Sequence, residues 1–312
     1  MSGDRVNAVF RRAILTATVN PVVRRVVARH GMRFGGARFV AGEDVAQALR
    51  TLTELDRQGF RTNTTLLGES ITDRAAVARV AAEYERVLAA IGEAGLRTNL
   101  AVKPTQLGLD IDEELVVENV RRLAELSAAQ GKLVRMDMED SRTVDGTLRV
   151  YRRLREDGVE NVGTVLQAYL HRTADDLESL LPLDPNLRYV KGAYREPPSV
   201  AMQERAAVDE AYWTIVRRAL ESGSYAAIAT HDERVIERVR AYERENGVGR
   251  DRFEFQMLYG VRPELQRRLL EAGYTVLVAT PYGSEWYPYL MRRLAERPAN
   301  LLFAARSLVS RG

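Results

Sequence analysis

The runs Thr98-Asn99-Leu100-Ala101-Val102-Lys103 and Lys132-Leu133-Val134-Arg135-Met136-Asp137-Met138 decide the fold, together with what lies between them. The intervening residues Asp112–Gln130 have an amphipathic helical pattern and close on Gly131. A β-prone run, a polar turn, an amphipathic helix ending in glycine and a second β-prone run is the sequence form of a strand–helix–strand unit. Strands joined in this way pair in parallel through a right-handed crossover.

Outward from that unit the same rhythm repeats. Strands are predicted at Phe60–Leu67, Thr98–Lys103, Lys132–Met138, Val162–Tyr169, Leu187–Lys191, Tyr225–His231, Arg252–Leu258 and Tyr274–Thr280. Helices are predicted over Asp73–Ala94, Asp112–Gln130, Val144–Asp157, Thr173–Leu181, Val200–Ser222, Glu233–Asn246 and Pro263–Ala272. Eight units of about thirty residues each predict an α/β fold, a closed (βα)8 barrel of the TIM type, rather than an open doubly wound sheet. No G-x-G-x-x-G follows the first strand, which argues further against a dinucleotide fold. The first strand is the weakest of the eight, because Thr62-Asn63-Thr64-Thr65 is more polar than a barrel interior prefers.

Ahead of the barrel, Val6 to His30 has apolar residues at helical spacing, interrupted at Asn20-Pro21, and predicts an N-terminal helical arm. A further helix is expected from near Glu43 to the Gly59 stop. The expected division is an arm over residues 1–40 and a single barrel over 41–312.

Composition narrows the chemistry. With 46% hydrophobic and 29% charged residues in 312, the chain has the make-up of a soluble globular protein. Its 46 basic and 43 acidic residues are interspersed, unlike the clustered charge of a nucleic-acid surface, so no nucleic-acid partner is expected. The absence of cysteine excludes disulfides, thiol nucleophiles and thiolate metal sites. Three dispersed histidines, His30, His171 and His231, make a zinc site an unfavoured reading, and no metal is expected. Neither a signal-peptide pattern nor an uninterrupted apolar span is seen, so a cytoplasmic location is expected.

In barrels of this kind the site lies at the C-terminal ends of the strands. Lys103, Asp137-Met138-Glu139-Asp140, Gln167, Tyr169, Arg188, Lys191-Gly192-Ala193-Tyr194-Arg195, Thr230-His231-Asp232 and Gln256 all stand there. A bore made only for packing would carry Val, Ile and Leu instead. After the last strand, a helix expected to start after Pro288 and stop before Pro298 places Tyr289, Arg292, Arg293 and Glu296 on one face. Two adjacent guanidiniums can grip a carboxylate; a solvated charged face is the alternative on this stretch alone. The cluster is cation-rich, so its expected guests are anionic. With no serine elbow and no carboxylate pair for hydrolysis, a cofactor is the economical source of hard chemistry. A Schiff-base lyase using Lys103 or Lys191, and a non-catalytic module holding acidic partners, stay open on the residues alone.

Val102-Lys103-Pro104-Thr105-Gln106-Leu107-Gly108, Arg135-Met136-Asp137-Met138-Glu139-Asp140, Val165-Leu166-Gln167-Ala168-Tyr169, Arg188-Tyr189-Val190-Lys191-Gly192-Ala193-Tyr194, Ala229-Thr230-His231, Phe253 to Gly260 and Tyr289-Leu290-Met291-Arg292-Arg293-Leu294 together resemble the proline dehydrogenases in their stand-alone bacterial form. The resemblance runs from about Phe39 to Ala304 and implies a distorted (βα)8 barrel. It implies FAD as cofactor, oxidation of L-proline to Δ1-pyrroline-5-carboxylate, and a membrane quinone as electron acceptor. Peripheral contact with the inner face of the cell membrane is the corresponding expectation. The amphipathic stretches Val6–Val27 and Leu301–Val309 are expected to pack on the barrel, with a bilayer as the alternative.

By the same resemblance Asp137 and Arg188 are the catalytic pair. Lys103, Arg292 and Arg293 bind substrate, with Tyr289 and Tyr194 walling the pocket. Met138, Gln167, Arg188, Lys191, Gly192, Ala193, Thr230 and His231 match FAD-binding positions. One departure is Ala279, where many members carry tyrosine. The smaller residue enlarges the expected pocket, so hydroxyproline or another cyclic amino acid is an alternative substrate.

Overall fold

A computed structural model describes residues 38–68 and 70–296, excepting the side chains of 292–296. The expected arm over 1–40 and the stretch Leu301–Val309 therefore lie almost wholly outside the described residues, as do the side chains of Arg292, Arg293 and Glu296.

Eight parallel strands close into a barrel in sequence order. They are β1 (Arg61–Leu66), β2 (Thr98–Val102), β3 (Val134–Met136), β4 (Val162–Gln167), β5 (Asn186–Val190), β6 (Ala226–Ala229), β7 (Phe253–Leu258) and β8 (Val276–Tyr282). Around them run α1 (Val45–Arg57), α2 (Arg74–Glu93), α3 (Glu113–Ala128), α4 (Val144–Glu156), α5 (Thr173–Leu180), α6 (Arg205–Ser222), α7 (Glu233–Asn246) and α8 (Pro263–Glu271). Each expected strand is present, displaced by a few residues at most. The fold class is that of a TIM-type barrel.

The strands read as near-continuous apolar runs because helices cover the outside and side chains fill the bore. β4 is buried at every position. On β7 the helix-facing set is Phe253, Phe255 and Met257, with the Phe255 ring edge-on to Tyr274 at 5.4 Å between centroids. The alternate set, Glu254, Gln256 and Leu258, faces the bore. Asp44, Asp73, Asp112 and Asp232 start α1, α2, α3 and α7 by accepting a backbone N–H with their carboxylates.

The polar first strand has a physical reason. Thr62 and Thr98 share a hydroxyl hydrogen bond of 2.7 Å between β1 and β2. Thr64 Oγ1 donates to the Thr280 carbonyl at 2.9 Å, and Thr280 Oγ1 donates to the Asn63 carbonyl at 2.7 Å. The hydroxyls thus stitch the seam where the first and last strands meet, over a register from Arg61–Leu277 to Leu66–Tyr282.

Two expected helix starts are corrected. Residues 200–204 are not helical: Ala201 forms an antiparallel bridge with Leu170, and Met202 N donates to the Tyr169 carbonyl at 2.8 Å. This tie to the loop after β4 holds the chain extended until α6 begins at Arg205. The C-terminal helix, α9 (Trp286–Glu296), begins two residues before Pro288 instead of after it. A proline in the first turn costs little, since the first N–H groups of a helix have no carbonyl partner anyway.

α9 lies across the C-terminal end of the barrel on a small apolar cluster of its own. Trp286, Tyr287 and Leu290 are buried there against Phe39, Val40 and Leu67. Trp286 Nε1 donates to Glu43 Oε1 at 2.7 Å, fixing the first turn to the chain ahead of α1. Among the described residues, no helix is long and apolar enough to cross a membrane.

Candidate active site

A cavity of about 360 Å³ opens at the C-terminal end of the barrel under α9. That is within the range of roughly 300–1,000 Å³ usual for small-molecule sites. Its floor holds Lys103, Asp137 and Arg188; Asn63, Leu258 and Ala279 form a wall, and Pro288 and Tyr289 of α9 its roof.

Parallel pairing puts the floor residues side by side. In register, Ala101 pairs with Arg135 and Val165 with Arg188, so residues two positions on from the first pair, Lys103 and Asp137, share the upper rim of the bore. Arg188 Nη1 donates to Asp137 Oδ1 at 2.8 Å, and Arg188 Nε donates to Gln256 Oε1 at 2.5 Å. Gln256 Nε2 in turn donates to Glu254 Oε1 at 2.5 Å. Lys103 Nζ stands 3.8 Å from Asp137 Oδ2, inside ion-pair range but beyond hydrogen-bond length. The lysine is thereby held near the carboxylate with its N–H donors uncommitted to it.

Beneath this layer lies another cation. Arg135 is 2% exposed and donates through Nη1 to the Thr164 and Asn186 carbonyls, each at 3.0 Å. Burial lowers its pKa to about 10, and the like charge of Arg188 acts in the same direction. Two guanidiniums stacked in one bore need a carboxylate close by, and Glu254, 4% exposed, is in the layer that supplies it.

Met138, Gln167, the turn from Lys191 to Tyr194, Thr230 and His231 stand around the adjoining rim and do not line this cavity. Gln167 Nε2 donates to the Glu139 carbonyl at 2.8 Å, tying the end of β4 to the loop after β3. Met138 is buried in the main core. Lys191 pairs with Asp209 and, at 3.4 Å, with Asp232. Gly192 has φ +114° and passes so close over Tyr169 that a Cβ there would meet the ring at 2.2 Å. Burial, with the Glu196 carboxylate assisting, pushes the Tyr169 phenol up to about 12. Ala193 is exposed and Tyr194 half-buried in the loop that follows.

Just after β6, Thr230 Oγ1 accepts from Asp232 N at 3.1 Å. His231 Nε2 accepts from Leu258 N at 2.9 Å, which puts the proton of a neutral imidazole on Nδ1. Tyr289 roofs the cavity, and the backbone of Arg292 and Arg293 continues α9 beyond it.

Asp232 is the rim's most perturbed carboxylate. The Arg234 guanidinium and backbone N–H and the Lys191 ammonium hold its pKa down to about 2, against the opposing effect of burial. A depressed pKa stabilises the fold above the unfolded value near 3.8, and this stabilisation is lost as pH falls through about 2. Asp232→Asn, which keeps an N-cap oxygen, is expected to destabilise the protein by about 1–2 kcal/mol at neutral pH. Urea unfolding should show the gap to wild type constant above about pH 5 and closing toward pH 2; a gap independent of pH would refute the ion-pair account.

The sequence reading missed the cavity walls. Asn63, Pro281 and Pro288 carry no motif, Leu258 stands in the Phe253 to Gly260 run without a role read from it, and only the barrel's closure brings the four together. Glu254 was visible two positions before Gln256, and strand alternation was the available signal that both face the bore.

Comparison with known proteins bears on this geometry. The family model described as proline dehydrogenase matches residues 48–306. The chain is 41% identical over 308 residues to a proline dehydrogenase of Deinococcus radiodurans, covering 97% of this chain and 99% of that protein. It is 37% identical over 302 residues to proline dehydrogenase 1 of Bacillus subtilis subsp. natto, covering 97% of this chain and 100% of that one. Among solved structures, proline utilization A from Bdellovibrio bacteriovorus superposes with a TM-score of 0.79 at 22% identity, over 88% of this chain and 34% of the other. At that identity the superposition speaks for the fold. Matched over residues 48–306 by the family model and along almost its whole length by both relatives, the chain belongs to the proline dehydrogenase family.

Proposed function

We propose that this protein oxidises L-proline to Δ1-pyrroline-5-carboxylate, with FAD as bound hydride acceptor and a membrane quinone as the final electron acceptor. The observation that carries the reading is the meeting of Lys103, Asp137 and Arg188 on the floor of a cavity roofed by α9, in a chain of this family.

The residues fit a flavin. Arg188 Nη2 is buried without a partner beside the cavity, an unspent donor for a ring nitrogen or carbonyl oxygen. The Lys191-Gly192-Ala193 turn, Met138, Gln167, Thr230 and His231 would hold the cofactor together with Arg188, their polar groups collected at the ends of β3 to β6. When bound, the flavin supplies a two-electron acceptor for the hydride that leaves the ring carbon beside the proline nitrogen.

The chain's own contribution is position and charge. Lys103 is free to meet the substrate carboxylate from below, and Arg292 and Arg293 on α9 to meet it from above. Tyr289 roofs the ring, and Tyr194 is assigned to the far wall. Holding the reacting carbon at a near-attack distance of about 3–3.5 Å is worth several powers of ten in rate. Asp137 holds Arg188 by one nitrogen, so the guanidinium is fixed where negative charge grows. Pro288 and Tyr289, roofing the cavity, limit the access of water to that charge.

Ala279 on the wall favours a second reading, in which a hydroxylated or larger ring is accepted. An arm over residues 1–40 packed on a catalytic barrel over 41–312, and a cytoplasmic protein touching the inner membrane face where quinone resides, complete the proposal.

The test is anaerobic titration of the purified, yellow protein with L-proline and, in parallel, hydroxyproline. Bleaching of the flavin band by proline is the expected result; folded protein that holds no flavin would end the proposal. In steady state, Arg292→Ala or Arg293→Ala should raise the proline KM by about 30-fold or more, the loss of a charge-assisted grip of about 2–3 kcal/mol. Wild-type kinetics in either variant would remove the carboxylate clamp.

A further inference from the structure

Glu254 lines no part of the cavity, yet it decides which way the group holding Arg188 points. It lies on β7 two residues below Gln256, both facing the bore and both almost fully buried, at 4% and 3% exposure. An amide side chain has nearly the same shape either way round but opposite polarity at its two ends. Only the oxygen of Gln256 can accept from Arg188 Nε, and a carboxylate can accept only from the amide nitrogen. With Glu254 Oε1 taking Gln256 Nε2, the oxygen is left facing the guanidinium. Arg188 is then held at two points, Nε by Gln256 and Nη1 by Asp137, which fixes its plane and leaves Nη2 as the donor without a partner.

The other groups facing Glu254 do not offer the same service. Arg135 spends its donors on the Thr164 and Asn186 carbonyls and on the Asn186 side chain. Tyr225 is drawn to Glu254 as a hydrogen-bond donor, and its phenol is raised by burial and by that carboxylate. Neither is hydrogen-bonded to Gln256, whose amide nitrogen is taken by Glu254.

We infer that Glu254 is a positioning residue for the oxidation, acting through the Gln256 amide to set the plane of Arg188. The inference rests on the proposed function above. A carboxylate outside the substrate's reach would then govern the rate of the chemical step and leave substrate binding nearly untouched.

The test uses the flavin-loaded protein and single-turnover reduction by L-proline, which separates the limiting rate from the substrate dissociation constant. Glu254→Ala should slow the limiting rate about tenfold or more while the dissociation constant moves less than about threefold. Glu254→Gln still offers an acceptor oxygen to Gln256 and should recover most of the rate. Gln256→Leu should be slowed as much as Glu254→Ala, and adding Glu254→Ala to it should cost nothing more, because the path is already cut.

An undiminished effect of Glu254→Ala in the Gln256→Leu background would overturn the inference, as would a wild-type rate in Glu254→Ala. If Glu254→Ala does not fold, Glu254→Gln and Gln256→Leu still decide: equal slowing in the two would show that the charge matters and not the orientation. If proline fails to reduce the wild-type protein, the functional reading has fallen and takes this inference with it. Wild-type reduction with unaffected variants removes the inference alone.

Discussion

Arg188→Met reduces bound flavin with L-proline about 100- to 1,000-fold more slowly than wild type: that is the expected result, by analogy with the loss of one preorganised donor from a charge-stabilising site. Methionine keeps an unbranched stem of similar width, so the change removes the charged, donating head group and leaves the stem's packing. Arg188 is one of the two cations on the cavity floor, its side chain 12% exposed, and its fixed plane means no reorganisation is needed when charge develops. Asp137 loses its hydrogen-bonded partner but keeps Lys103 at 3.8 Å, so the carboxylate is not stranded. Far-ultraviolet circular dichroism should therefore stay near wild type while the single-turnover rate of the flavin-loaded variant collapses. A rate within threefold of wild type would eliminate Arg188 as the group that answers the growing charge.

The second large effect is structural and lies one turn along the rim. Gly192→Ala adds a methyl where the Tyr169 ring already stands at 2.2 Å, at a φ of +114° that side chains avoid. The ring has no easy retreat. Tyr169 N donates to the Lys191 carbonyl at 2.9 Å and the Tyr169 carbonyl accepts from Met202 N, so the two strand ends are laced together on both sides of the clash. Backbone strain and overpacking together should cost about 3 kcal/mol or more. Urea denaturation should show a lower midpoint at unchanged slope, and the purified variant should lose flavin on dialysis as the Lys191 turn is prised from β4. An unaltered midpoint would mean that the turn and the ring are not packed as described.

The barrel was legible because its signal is distributed. Eight β-prone runs, each followed by an amphipathic helix, leave little choice of topology even when one run such as Thr62–Thr65 is polar. That run was weak to read because the Thr62 and Thr64 hydroxyls are satisfied by Thr98 and Thr280, partners far away in sequence. The floor of the site was legible for a related reason. Lys103, Asp137 and Arg188 are charged residues at strand ends where packing alone would demand Val or Leu.

What could not be read was which neighbours these residues would choose. Gln256 was visible as a polar strand residue, but its place between Glu254 and Arg188 depends on three strands in register. Ala279, Leu258 and Asn63 share a wall only because β8 closes on β1. The starts of α6 and α9 were misplaced because local propensity was overridden, in one case by a bridge to Leu170 and in the other by anchoring of Trp286 through Glu43.

The seam between β1 and β8 joins the beginning of the barrel to its end, with Thr64 and Thr280 bonded across 216 positions. A nascent chain leaving the ribosome must carry seven strands with both flanks open until the eighth emerges, so the ring cannot close before then. During that interval β1 is an unprotected border, the kind of surface on which chains aggregate. A border written Arg-Thr-Asn-Thr-Thr is poorly suited to sticking to its neighbours, and the hydroxyls that later lock the ring shut are, until then, solvated by water.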